Sequence, residues 1–178
     1  MHVRFSTIVG LSVLEEGTNE RLATISNIFI HPDTGAIEGF FVRVPTFFHS
    51  DTLFLSAQDI VHWGTHVRVL RGEVFSSIEE YVRLLSFLEE GRTVFRQHIF
   101  TESGVDLGRC SDIQFSTKTF ALEWLFPKKL WWWQRPIPAS SIVRVEPKGV
   151  IVREAVILPE TEGSATVLEA LDPLGQTA

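Results

Sequence analysis

The sequence predicts a mainly β protein: two tandem small β-barrels joined by an amphipathic α-helix. Three observations lead there. The chain repeats itself, apolar residues within each copy alternate with period two, and one stretch between the copies carries the helical period.

The repeat sets the folding unit. Leu22-Ala-Thr-Ile-Ser-Asn-Ile-Phe-Ile lies over Leu107-Gly-Arg-Cys-Ser-Asp-Ile-Gln-Phe at a shift of 85 residues. The same shift places Thr34 on Thr119, Ala36 on Ala121, Glu38 on Glu123 and Phe41 on Phe126. Further on, a shift of 82 aligns Ala57, Ile60 and Val61 with Ala139, Ile142 and Val143. Tandem small domains follow, rather than one larger core: a first barrel at 1–73, a linker helix at 74–91, a second barrel at 92–157 and a flexible or weakly docked tail at 158–178. A unit this short buries a small fraction of its surface, so the copies are expected to pack on each other.

Within the first copy, Phe40, Val42 and Val44 alternate with Gly39, Phe41 and Arg43, and Val67 and Val69 alternate with Arg68 and Leu70. Short Val-, Ile- and Phe-rich runs bounded by turn residues read as half-buried strands. His31-Pro32-Asp33-Thr34-Gly35 is a tight hairpin, with Pro where φ is near −65° and Gly where φ turns positive; Asp33 and Asp59 read as turn formers. Glu16-Gly17-Thr18-Asn19 and Glu102-Ser103-Gly104 mark the preceding turn of each copy. Between the copies, Ile78, Tyr81, Val82, Leu85 and Leu88 fall on one helical face. Ser77 and Glu80 form a capping box, Gly91 supplies the stop, and Glu79 pairs with Arg83 on a helix of about 13 residues.

Composition narrows the class. The chain has 178 residues, with 16 Lys and Arg against 22 Asp and Glu, a net charge of −6. That balance disfavours charge-driven nucleic-acid binding. No apolar run is long enough to cross a bilayer as a helix, and the first residues lack a signal-peptide pattern. The single cysteine, Cys110, forms no internal disulfide, which suits a reducing compartment. A cytoplasmic protein is the expectation.

The stretch from Gly10 to Gly35, then Glu38-Gly-Phe-Phe-Val, then Leu55-Ser-Ala-Gln-Asp-Ile-Val61, resembles the PRC-barrel superfamily. That family includes the cytoplasmic domain of the photosynthetic reaction-centre H subunit and the C-terminal domain of a ribosome-maturation factor. The resemblance covers about residues 5–71 well and about 93–155 more loosely. Phe120 stands where Gly35 does and Lys118 where Asp33 does, so the second hairpin is expected to differ locally. The resemblance implies a compact β-barrel adaptor on a larger assembly. It brings no catalytic residues to carry over.

The residues announce no reaction. His62 and His66 have i,i+4 spacing but sit at a strand-to-turn junction, where that spacing does not converge on a metal. Cys110 replaces Ile25 of the first copy and reads as a buried, inert thiol. No phosphate loop, serine elbow or carboxylate pair appears, so neither enzyme, cofactor, metal nor small-molecule substrate is expected. One feature stands apart. Corresponding connections carry aromatic clusters: Phe47 and Phe48 in the first copy, Trp131, Trp132 and Trp133 in the second, the latter flanked by Lys128, Lys129 and Arg135. Three consecutive tryptophans on a strand cannot all face inward. Either Trp131 and Trp133 plug the seam between barrels with Trp132 outside, or the cluster is a docking patch. The functional expectation is a non-enzymatic adaptor that binds a protein partner or itself through these loops. The alternatives are a peripheral protein on lipid or a membrane complex, and a ribosome-assembly or RNA-processing accessory factor.

Overall fold

In a computed structural model, residues 1–46 and 50–154 are described. Phe47, Phe48 and the tail at 158–178 lie outside them. The chain opens with β1 (His2–Arg4) and one helical turn, α1 (Phe5–Ile8). Then come β2 (Ser12–Glu15), β3 (Arg21–Ile30), β4 (Ile37–Pro45), β5 (Ser50–Ser56), β6 (Ile60–Trp63), β7 (Val67–Val69) and β8 (Phe75–Ser76). These seven strands form one curled sheet in the order β6-β7-β2-β3-β4-β5-β8. All pairs are antiparallel except β2 with β7, which brings the sheet's first strand beside its last but one. The period-two reading holds: Phe40, Val42, Val67 and Val69 are fully buried, whereas Leu70 is exposed.

After α2 (Val82–Glu89) come β9 (His98–Thr101), β10 (Asp106–Ser116), β11 (Ala121–Lys129), β12 (Trp132–Trp133), β13 (Ile137–Pro138), β14 (Ile142–Glu146) and β15 (Gly149–Val152). Their order, β12-β11-β10-β9-β15-β14, with β13 also paired to β11, matches β5-β4-β3-β2-β7-β6 of the first sheet, including a parallel β9–β15 pair where the first has β2–β7; β8 has no counterpart among the described residues. The irregularities repeat too. Bulges on β3 at Ile25/Asn27 and Phe29/Ile30 reappear on β10 at Cys110/Asp112 and Gln114/Phe115. Each pair is offset by the same 85 residues as the sequence repeat. In both ladders the side chain at the first bulge, Asn27 or Asp112, caps the next amide, that of Ile28 or Ile113.

The two hairpin tips meet about a local two-fold. Ala36 bridges Ala121, Ile37 N donates to Phe120 O, and Leu122 N donates to Gly35 O, so the bonds exchange under the repeat. Gly35 has φ +70° and Phe120 has φ +49°, and the amides of both donate to equivalent carbonyls, His31 O and Ser116 O. The expected local difference in the second hairpin is therefore corrected: Phe120 adopts the glycine conformation. A left-handed Phe is strained, but its ring packs against Trp63 at 6.1 Å, and its carbonyl serves the joint.

The halves share one interior rather than holding two separate cores. Phe40 and Trp63 from the first sheet pack on Phe115 of β10, at 5.9 and 5.8 Å, within one continuous cluster of buried side chains. The division at residue 73 is also crossed. β1 pairs with β10 of the second sheet, so the segment leading into the first half lies on the second. The segment leading into the second half does the reverse, because α2 packs on Phe29 and Phe54 of the first. Equivalent glutamates are clasped in this exchange: Glu38 by Arg83 at 3.5 Å, and Glu123 by His2 at 2.7 Å.

The linker helix is shorter than its periodicity suggests. Ser77 does form the capping box with Glu80, but on a single 3₁₀ turn, Ile78–Glu80. At Tyr81 the backbone leaves helical geometry (φ −98°, ψ +67°), and the Tyr81 ring meets Phe54 at 4.9 Å. The kink turns the buried stripe to Ile78, Tyr81, Leu84, Phe87 and Leu88. It leaves Val82 exposed and sends Arg83 to Glu38 instead of Glu79. At the other end Gly91 adopts φ +71°, and Arg92 N and Gly91 N return to Phe87 O and Leu88 O, a Schellman stop. Arg92 then ties the joint together. It ion-pairs with Asp33, whose carboxylate thus reaches beyond its own turn, and donates to Val145 O of β14 at 3.1 Å.

Candidate functional site

β11 and β12 make a hairpin at the edge of the second sheet. Lys128 stands opposite Trp133 and Lys129 opposite Trp132, with Leu130 and Trp131 as the two turn residues. Leu130 takes φ +55°, which a two-residue hairpin turn requires. The tip is bare: Leu130 is 85% exposed, Trp131 86%, Trp132 77% and Trp133 56%. This corrects the seam reading, because neither Trp131 nor Trp133 enters the joint. That space is filled by Trp63, Phe40, Phe115 and Phe120.

The root of the hairpin is held by residues distant in sequence. The Arg4 guanidinium lies 3.8 Å from the Phe126 ring and 5.9 Å from Trp133, while Lys128 Nζ is 5.4 Å from Trp133. Arg4 Nε sits 3.1 Å from Asp112 Oδ2, as an ion pair rather than an aligned hydrogen bond. Buried Asp112 also accepts from Ser6 N (3.0 Å) and Ser6 Oγ (2.7 Å). On the other face, Lys129 Nζ donates to Asp106 O at 2.9 Å. The Gly108 amide holds the Asp106 carboxyl below its ordinary range; burial opposes this, and His98 and Lys129 add to the lowering. A groove of about 560 Å³ runs beside the tip between His98, Arg109, Ser111, Lys128 and Leu130.

Of the residues singled out from sequence, the structure brings together Lys128, Lys129, Trp131, Trp132 and Trp133. Arg135 is exposed just beyond β12. Phe47 and Phe48 lie outside the described residues. Sequence reasoning missed Leu130, which the apolar run itself could have shown, and Arg4, Arg109 and Phe126, which only strand pairing brings to the site. His62 and His66 are exposed on β6 and in the turn after it, not on a helix.

Cys110 is fully buried on β10, and that burial pushes its thiol up to about 12. Alkylation at pH 8 should therefore proceed only as fast as the chain opens. Stoichiometric labelling of the native protein within minutes, followed by mass spectrometry, would contradict this placement.

The geometry thus describes a mainly β module with an exposed aromatic edge hairpin. The family model of the PRC-barrel domain matches residues 1–74, so this part of the chain carries that domain. No curated protein matches the chain.

Proposed function

We propose that the chain is a non-catalytic docking module, that its second half is a diverged copy of the PRC-barrel domain, and that the β11–β12 hairpin is its binding face. The observation that carries the reading is the exposure of four consecutive large apolar residues, Leu130 to Trp133, on a hairpin braced from below by Arg4 and Lys128. Contiguous exposed apolar surface marks interaction sites, and tryptophan is enriched among residues that dominate binding. Buried Cys110, its thiol pushed up by that burial, is no accessible nucleophile.

The triple substitution L130S/W131S/W132S separates docking from packing. Its melting temperature should stay within about 3 °C of the parent. Its co-sedimentation with washed membranes and large assemblies of the native cell should fall sharply. A loss of roughly 10 °C, or undiminished co-sedimentation, would reject the hairpin as the binding face.

A further inference from the structure

Resting on that docking reading, we propose that the hairpin is an anchor for an anionic membrane surface: Leu130 and Trp131 enter the headgroup–acyl boundary while the cations at the base meet lipid phosphates. The argument is the direction in which polarity changes. Because cross-strand partners share a face, one side of the hairpin carries Trp132 beside Lys129 and the other carries Trp133 beside Lys128. Neither face is the apolar one. Polarity changes instead along the hairpin, from an apolar apex at Leu130 and Trp131 to a cationic base at Lys128, Arg109 and Arg135, with Lys129 held by Asp106. A flat protein partner calls for one greasy face. A bilayer, whose polarity changes along its normal, calls for this axial order, with Trp at the interface and Lys or Arg reaching the headgroups.

Charge points the same way. The chain as a whole carries −6, yet the base of this hairpin is basic. In the groove beside the tip, the acid Asp106 is already engaged by the Gly108 amide and by Lys129. Arg109 and Lys128, neighbours across the β10–β11 ladder, face that groove and suit a headgroup phosphate. No helix among the described residues is long and apolar enough to cross a membrane.

Flotation of the full chain with phosphatidylcholine vesicles, and with vesicles containing about a third phosphatidylglycerol, tests this. Binding to the anionic vesicles should be at least tenfold tighter than to phosphatidylcholine alone, with tryptophan emission shifting to the blue. L130S/W131S, folded by circular dichroism, should lose at least tenfold. K128Q/R135Q should lose about fivefold per cation removed. Equal affinity for the two vesicle types, no flotation, or flotation indifferent to L130S/W131S would overturn the proposal. Tip-dependent dimerisation without flotation would also overturn it, but leave the docking reading standing with a second copy as occupant. Loss of neither association in the triple variant would remove both.

Discussion

Phe115→Ala is expected to destabilise the entire chain by about 3–5 kcal/mol, as a single unfolding transition displaced downward by roughly 6–20 °C. Phe115 has no exposed surface, and its ring is gripped by Phe40 and Trp63 from the other sheet. Truncation therefore opens a cavity that neither half can fill alone. Because buried side chains of both sheets form one cluster, and each lead-in segment lies on the opposite half, neither sheet retains its packing once the other opens. Calorimetry of Phe115→Ala would refute the shared interior if it showed two transitions with only the second displaced.

Asp112→Ala should cost about 2–4 kcal/mol, because it strands the Ser6 and Ile113 amides and leaves Arg4 without its carboxylate. The protein supplies its own control. At the equivalent bulge of β3 stands Asn27, whose side-chain oxygen caps Ile28 without any charge. Asp112→Asn should accordingly keep the caps on Oδ1 but lose the Arg4 attraction and the Ser6 Oγ donation, both made to Oδ2, about 1–2 kcal/mol, since Arg4 is partly solvated. Urea midpoints for the two variants decide the matter. Equal losses would mean that the contacts of Oδ2, not the bulge capping by Oδ1, hold this site together. Indifference to Asp112→Ala would mean that the clasp is ornamental.

Much of the fold was legible because its signals are local. Alternation of Phe40 and Val42 with Phe41 and Arg43 requires only that neighbouring side chains leave a strand on opposite faces. The turn at His31–Gly35 and the stop at Gly91 follow from backbone sterics alone. The bulges of β3 and β10 keep the 85-residue offset at which the two stretches of sequence align. The errors arose where a distant contact outweighed a local preference. Tyr81 broke the helix to reach Phe54, Arg83 left Glu79 for Glu38, and Phe120 accepted a strained φ in exchange for Trp63 and the bond to Ile37.

For the candidate site the division is similar. That three adjacent tryptophans could not all be buried was a matter of strand geometry, readable from the chain. Which of them were buried was not, because the answer depended on whether something else filled the joint. Trp63, Phe40 and Phe115 did, and a close-packed interior has no room for more. By itself the sequence determined the period and the turns, since these are set by each residue and its near neighbours. The tertiary structure alone decided which half each lead-in segment joined, how far the helix ran and that the aromatic hairpin faced solvent, because those outcomes depend on competition among surfaces far apart in the chain.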